Sequence, residues 1–263
     1  MKKLICFAAA LVLLLALSAC ARNEPLPTEA PDPTVTAAPT EPETEQPSEP
    51  ATTTPTEPTT EQPETVVCAV SDKRGTLFKN SSGETWLSVC VTVRNDGTGP
   101  VSLPLMELTA SRDGAALKTF SGLTAYPNVI AAGESACYYD EARVDTDATG
   151  AAELAFTLAP EAAAETDVVR YTVMEVQLRD SVYGGLTLTG KVKNETDEDS
   201  KGMVCVASIL YDESGTVIGV LYAYLPDKLA AGKTVSFTLD SFMLPAEATA
   251  ATVADIQTFA YPA

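Results

Sequence analysis

The chain has 263 residues, with 36 Asp and Glu against 17 Lys and Arg, no histidine, and a formal charge of −19. The absence of a basic patch or an arginine-rich stripe argues against binding to nucleic acid and against docking of the folded part on anionic lipid. Without histidine the chain also lacks histidine-dependent triads and the commonest zinc ligands, so we expect a protein that is not an enzyme and has no cofactor.

The first 20 residues have the three parts of a bacterial lipoprotein leader. Lys2 and Lys3 form a cationic start, residues 4–17 are apolar, and Leu-Ser-Ala precedes Cys20. This apolar run is shorter than the roughly 20 residues that a membrane-spanning helix needs. The sequence predicts a signal peptide over 1–19 and lipidation of Cys20 by a diacylglyceryl group, for example with palmitate. The chain would then lie on the extracytoplasmic face of the cell membrane. The alternative is an ordinary secreted protein.

Residues 20–65 have the composition of a tether. Thr, Pro and Glu dominate this segment, which holds 11 of the 18 prolines. Such a segment has too little apolar surface to offset the entropy of ordering itself. The sequence therefore predicts a disordered acidic linker after the lipidated cysteine, able to reach on the order of 140 Å at full stretch.

An internal repeat divides the remaining residues. Val-Arg-Asn at 93–95 resembles Val-Lys-Asn at 192–194, and Ala-Ala-Gly recurs at 131–133 and 230–232. Both pairs are 99 residues apart, which is the length of an immunoglobulin-like domain. The sequence predicts an all-β fold of two tandem immunoglobulin-like β-sandwich modules, spanning 66–178 and 179–263. The alternative is a chance similarity between the ends of ordinary strands.

Local patterns are mainly those of β structure. Apolar and polar residues alternate over 87–93, which predicts a strand with one apolar face. Arg-Asp-Gly at 112–114 predicts a hairpin turn. Two short Ala-rich segments, 160–165 and 245–251, predict single helical turns. Trp86 lies on the polar phase of its strand, so it is either an exposed platform for a sugar ring or a packed residue at the end of the sandwich.

An acidic loop in the first module has the spacing of a calcium loop. Oxygen-bearing side chains occupy loop positions 1, 3, 5 and 9, with glycine at position 6, and belong to Asp145, Asp147, Thr149 and Glu153. Position 12, where a calcium loop has a bidentate acid, is Phe156. The alternative to this weak calcium site is an acidic turn that precedes a strand.

The predicted mature chain has four cysteines besides Cys20, namely Cys68, Cys90, Cys137 and Cys205. The first three belong to the first module, so at most one bond can form within a module. A bridge from Cys90 to Cys68 or to Cys137 is compatible with an oxidising compartment. The alternative is a set of partly buried free thiols.

The second module contains a recognisable motif. Residues 203–211 are apolar on both faces, which predicts a central strand covered from both sides. The motif consists of Gly-Lys-Val-Lys-Asn at 190–194, Ile-Leu-Tyr-Asp at 209–212 with Gly215, Leu-Ala-Ala-Gly at 229–232, and Phe237. With it the segment from Leu186 onward resembles the FxLYD domain of bacterial surface lipoproteins. The resemblance implies a small extracytoplasmic immunoglobulin-like sandwich, usually on a lipid-anchored chain and without established catalysis.

One residue departs from that family's pattern. Ser208 stands where the name-giving phenylalanine would be, so we expect this core position to be smaller or polar. From the residues alone, Leu210 should point into a core, Tyr211 should pack on the opposite face, and Asp212 with Gly215 should close the next turn.

The function that the sequence favours is non-enzymatic binding or scaffolding at the bacterial cell envelope. The partners would be the membrane, through the lipid anchor, and an unknown envelope protein or glycan. A carbohydrate or cell-wall recognition module predicts an exposed aromatic strip, and an accessory subunit of an envelope transporter or enzyme predicts a broad apolar patch on one sandwich face. A carboxylate hydrolase would need converging acids, whereas Asp140 and Glu141 are neighbours and should point to opposite faces.

Overall fold

The computed structural model describes residues 66–241 and 243–263. The predicted signal peptide, the lipidated Cys20 and the predicted linker lie outside the described residues. Among the residues described, no helix is long and apolar enough to cross a membrane.

Strands make up nearly all of the regular structure. The first part of the described chain contains β1 (Cys68–Lys79), β2 (Thr85–Asn95), β3 (Val101–Ser102), β4 (Met106–Arg112), β5 (Ala115–Tyr126), β6 (Val129–Ile130), β7 (Ser135–Arg143), β8 (Gly150–Phe156) and β9 (Glu161–Ala162). A short 3-10 helix, Glu165–Asp167, follows. The second part contains β10 (Thr172–Asp180), β11 (Leu186–Lys193), β12 (Val204–Tyr211), β13 (Val217–Leu225), β14 (Thr234–Ser241) and β15 (Asp255–Pro262). The predicted all-β fold is confirmed.

The two modules arrange their antiparallel strands differently. In the second module two separate three-stranded sheets, β10-β11-β14 and β13-β12-β15, face each other as a sandwich. In the first module the order β1-β2-β7-β5-β4-β8 closes on itself as a barrel, and β6-β3-β9 forms a small additional sheet. The two-sheet sandwich predicted for both modules is therefore found in the second module. In the first module the strands continue around a single core.

Closure of the first module depends on strands that are long enough to pair twice. The twelve-residue β5 pairs with β4 over most of its length and then with β7 through its last three residues, 124–126. On the other side, β1 pairs with β2 along its length and with β8 near Gly75. A Cβ atom at Gly75 would lie 2.8 Å from Leu154 Cδ2 and 2.9 Å from the carbonyl oxygen of Ala152. Glycine is thus needed where β1 and β8 meet.

Each module has its own apolar core. The predicted alternation over 87–93 is confirmed, because the side chains of Leu87, Val89, Val91 and Val93 are fully buried in the core of the first module. The core of the second module includes Leu186, Leu188, Val204, Val206, Leu210, Leu221 and Leu239. The hairpin predicted at 112–114 is also present, with positive φ at Asp113 and Gly114 between β4 and β5.

The repeat found in the sequence corresponds to a repeated hydrogen-bond network. Asn95 is the last residue of β2 and Asn194 directly follows β11, and both are fully buried. The side-chain nitrogen of Asn95 donates to the carbonyl oxygens of Gly99 (2.9 Å) and Ile130 (3.4 Å). That of Asn194 donates to the carbonyl oxygens of Glu198 (2.8 Å) and Leu229 (2.9 Å).

The remaining bonds of the network repeat in the same way. The side-chain oxygens of the two asparagines accept from the backbone nitrogens of Gly97 and Thr196, and their own backbone nitrogens donate to the carbonyl oxygens of Glu134 and Lys233. Every partner in the first module has its counterpart 99 residues later. Gly133 and Gly232 take positive φ beside these networks. The 99-residue repeat therefore marks one loop arrangement that both modules use.

Two sequence predictions about local structure need correction. The boundary placed between 178 and 179 falls inside β10, which pairs with β11 of the second module, so that module begins near Tyr171. The helical turn expected over 160–165 is instead the strand β9, and the 3-10 helix begins only at Glu165. The segment 245–251 has turns rather than a helix. Alanine content favours helices only weakly, and strand pairing outweighs it at β9.

Candidate functional site at the interface between the modules

The strand β12 is covered on both faces, as its sequence predicted, and the two covers come from different modules. Val204, Val206 and Leu210 point into the core of the second module. The alternate residues Cys205, Ala207 and Ile209 are at most 2% exposed and belong to a third apolar cluster. That cluster, the interface core, joins the two modules.

The first module contributes the outer face of its barrel to the interface core. Cys90, Cys137, Tyr139 and Tyr126 are all buried there, on β2, β7 and β5. These residues lie on the outer face of the barrel, and Cys90 has the phase of Ser88 and Thr92, opposite the positions of β2 that fill the barrel. The interface was missed because alternation tells which residues share a face but not whether another module covers that face.

Polar contacts join the modules at both ends of the interface core. At one end the backbone nitrogen of Ala246 donates to the carbonyl oxygen of Lys79 at 3.1 Å. At the other end the guanidinium of Arg170, in the connecting segment, donates to the carbonyl oxygen of Val129 at 2.6 Å and pairs with Glu134 at 3.1 Å. The described residues of both modules belong to one compact unit.

Three tyrosines lie at the rim of the interface core and form a tyrosine patch. The rings of Tyr126 and Tyr222 have centroids 5.1 Å apart, and the ring of Tyr224 lies edge-on to that of Tyr222 at 6.2 Å. Tyr222 and Tyr224 are each 46% exposed, whereas Tyr126 is buried beneath them. Burial, and next the neighbouring Tyr222, raise the pKa of Tyr126 far above its usual range, so its hydroxyl stays protonated.

Trp86 is half-buried on the outer face of β2, between Phe78 of β1 and Arg143 of β7 in the strand register. Its indole nitrogen is buried and has no hydrogen-bond partner within the described part of the chain. The ring is thus partly packed, and contact of Trp86 with a sugar stays a prediction.

The acidic loop uses its side chains and backbone for bonds within the protein. Asp147 forms an ion pair with Lys79 at 2.9 Å, and the carbonyl oxygen of Thr149 accepts a hydrogen bond from Arg112 at 2.7 Å. Glu153 already belongs to β8 and is exposed. Asp145 lines an open polar depression of about 830 Å³ with the ion-paired Asp147. Over the described ranges no group of three or more acidic, cysteine or histidine side chains is placed to hold a metal ion.

The adjacent acids of β7 do not converge. Asp140 is exposed and Glu141 is half-buried, with alternating orientation along the strand. Burial, and next the charge of Asp140, raise the pKa of Glu141 to about 7. A hydrolase that works with two carboxylates needs them on either side of one bond, which this arrangement does not provide.

The structure distinguishes between the two disulfide pairings that the sequence left open. The sulfur atoms of Cys90 and Cys137 are 2.9 Å apart, and both residues are buried. Cys68 instead pairs with Asn95 in the strand register, five positions along β2 from Cys90 and therefore about 16 Å away. A bond between Cys68 and Cys90 is excluded by this distance. In the described part of the chain the cysteines are present as thiols, namely Cys68, Cys90, Cys137 and Cys205.

The motif of the second module has the architectural roles expected from its residues. Tyr211 packs against the interface core and its hydroxyl donates to Gln257 at 3.2 Å, while burial raises its pKa to about 12. The carboxylate of Asp212 accepts hydrogen bonds from the backbone nitrogens of Ser214 and Thr216, and so closes the turn. Ser208 is fully buried and shares a hydrogen bond with Thr258 at 2.9 Å, as a polar core position would.

Comparison with known proteins finds no protein family, no curated protein and no solved structure that matches this chain. The resemblance to the FxLYD domain therefore stays a prediction from its motif.

Proposed function

We propose that the chain is a lipid-anchored bacterial surface protein whose two modules act by non-enzymatic binding or scaffolding on the extracytoplasmic face of the membrane. In this proposal Cys20 carries the lipid and the acidic linker holds the modules away from the bilayer. The packing of β12 against the first module is the observation that supports the proposal. A partner would meet one double module with a fixed surface, which reduces the ordering cost of binding.

Two acidic residues that the loop patterns singled out have partners within the protein. Asp147 pairs with Lys79, and Asp212 closes a turn. Their carboxylates are thus committed to holding loops in place.

The lipid anchor is tested by expression in a bacterium with an alkyne-bearing fatty acid. Cys20→Ser should abolish incorporation of the label and release the chain from the membrane fraction. Cys6→Ser, a change in the predicted leader, is the matched control and should leave both unchanged. Equal labelling of the Cys20→Ser chain would contradict the anchor.

The binding function is tested by immobilising the chain from residue 20 onward through its N-terminus and passing envelope extract and purified cell-wall glycan over it. Specific retention of an envelope protein or of glycan supports the proposal. The control column carries the same chain after unfolding and irreversible alkylation. Failure to retain either class above that control would count against a binding role.

Glycan recognition is a second candidate because of the tyrosine patch. Two neighbouring tyrosines that are each about half exposed offer apolar ring faces with polar hydroxyls, a combination suited to a sugar ring. The double change Tyr222→Ala and Tyr224→Ala should weaken glycan retention at least tenfold. Tyr183→Ala, which removes a tyrosine that is 85% exposed elsewhere, should not. An equal loss in both variants would contradict a specific sugar site.

An accessory subunit would need an exposed apolar patch, and the outer face of β12 is not exposed. The outer face of β12 is apolar, but the first module covers it. That alternative stays a prediction and would require another surface.

A further inference from the structure

Cys90 and Cys137 form the closest pair of sulfur atoms in the described part of the chain. They lie on the paired strands β2 and β7, where Cys137 is opposite Thr92 and Cys90 is opposite Tyr139. Both side chains therefore point to the outer face of the barrel as diagonal neighbours. Their sulfur atoms, 2.9 Å apart, need to approach by only roughly 0.9 Å to reach the length of a disulfide bond, about 2.05 Å.

The surroundings of this pair are apolar. Cys90 and Cys137 are 5% and 1% exposed and pack in the interface core with Cys205, Ala207 and Ile209 of β12. A disulfide is apolar and suits such a site. It would also tie β2 to β7 directly beneath the strand that the second module places on them.

We infer that Cys90 and Cys137 form a disulfide bond when the chain folds outside the cytoplasm. The inference rests on the extracytoplasmic location in the proposed function. The oxidant is a disulfide of the thiol-oxidoreductase class. One cysteine thiolate attacks this disulfide and releases the first oxidant thiol, and the second cysteine then attacks the mixed disulfide and releases the other. Two protons and two electrons pass to the oxidant, which is left as a dithiol.

Burial determines when this exchange takes place. The hydrogen bond with Cys90 and burial hold the pKa of the Cys137 thiol well above its usual range, so the packed protein has little of the reactive thiolate. An oxidoreductase also cannot reach a sulfur atom beneath β12. The bond therefore forms while the first module folds and before the second module covers it.

The four cysteines can be assigned separately after trypsin digestion. Cleavage at Lys and Arg places Cys68 in a peptide that ends at Lys73, and it places the other three in 80–94, 119–143 and 202–228. The full chain is isolated from the envelope of an expressing bacterium, its free thiols are alkylated under denaturing conditions, and the unreduced digest is examined by mass spectrometry. The expected result is a cross-linked pair of peptides 80–94 and 119–143, with Cys68 and Cys205 alkylated.

Two variants and one further sample complete the test. Cys68→Ala and Cys205→Ala should each retain the cross-link. Four alkylated cysteines, or a cross-link that involves Cys205, would overturn the inference. If all four cysteines are alkylated, the full chain carrying Cys20→Ser is reduced, unfolded and refolded with oxidised and reduced glutathione. A cross-link that forms only in glutathione shows that the proposed location has failed, and its absence there as well shows that the pairing itself has failed.

Discussion

Replacing Asn194 by alanine should lower the free energy of unfolding by about 3 kcal/mol. The amide makes three bonds to backbone atoms, to the carbonyl oxygens of Glu198 and Leu229 and from the nitrogen of Thr196. Each such bond contributes roughly 1 kcal/mol net, and an unsatisfied buried group costs about 1–3 kcal/mol. The carbonyl oxygen of Leu229 keeps a hydrogen bond from the backbone nitrogen of Ser200 at 3.0 Å, so the expected loss is that of the three bonds themselves.

The loss is measured by urea unfolding, followed by circular dichroism for the whole protein and by fluorescence of Trp86 for the first module. Asn128→Ala, which removes the same amide from a half-buried position, is the control and should change stability by less than about 1 kcal/mol. Asn95→Ala should cost somewhat less than Asn194→Ala, because the bond from Asn95 to Ile130 is longer, at 3.4 Å. A loss below about 1 kcal/mol for Asn194→Ala would refute the structural role of the network.

Asn194→Asp tests the direction of these bonds. The change preserves an acceptor for Thr196 but turns a carboxylate oxygen toward two carbonyl oxygens. It should therefore destabilise at least as much as alanine at pH 7, and part of the loss should be recovered near pH 4, where a protonated carboxyl can donate one bond. No difference between the two pH values would show that the donor is unimportant.

Three further predictions concern the interface core, its pH dependence and the core of the second module. Ala207→Arg should place a charge in the interface core and separate the modules without unfolding them, which would be detected as faster trypsin cleavage after Arg170; unchanged cleavage would contradict the interface. Because the pKa of Glu141 is raised to about 7 in the folded protein, this residue binds a proton more tightly when folded, and its contribution to stability should fall as pH rises from about 4.5 to 7. Urea unfolding at pH 5 and pH 8 should show a pH-dependent loss smaller by roughly 1–3 kcal/mol in Glu141→Gln, but not in Glu153→Gln, which alters an exposed acid. Ser208→Phe, which introduces the residue typical of FxLYD domains, should lower the melting temperature by overpacking a fully buried site; a higher melting temperature would show that the core accommodates the ring.

The sequence predicted the strands more reliably than their surroundings. Alternation over 87–93 identified a face that is fully buried, and double-sided apolarity over 203–211 identified a strand with two covers. Both patterns report burial, which depends on residue type and phase. Neither pattern shows which residues cover a buried face, because Cys90 and Ile209 are far apart in the chain and meet only after both modules have folded.

The sequence also did not predict that the first module closes as a barrel or that the two asparagines are buried in hydrogen-bond networks. The pairing of β1 with β8 depends on how far two strands bend, and the requirement for Gly75 becomes visible only when Ala152 and Leu154 lie against it. The sequence correctly placed Asn95 and Asn194 at strand ends. It did not show that these side chains are buried by donating hydrogen bonds to carbonyl groups up to 35 residues away. The acidic loop shows the opposite limitation, since a spacing typical of calcium loops does not show that Asp147 pairs with Lys79.

The contact between the modules is heterologous, since the β2-β7 face of one meets the β12 face of the next, and such contacts extend into open arrays unless their ends are capped. The equivalent surface of the second module is polar, because Thr189, Ser236 and Thr238 lie 99 residues after Cys90, Cys137 and Tyr139. A module stacked on this surface in the same way would have to bury these hydroxyls without apolar partners. The duplication thus repeats the loop network of each module but not the apolar face through which the first module binds the second.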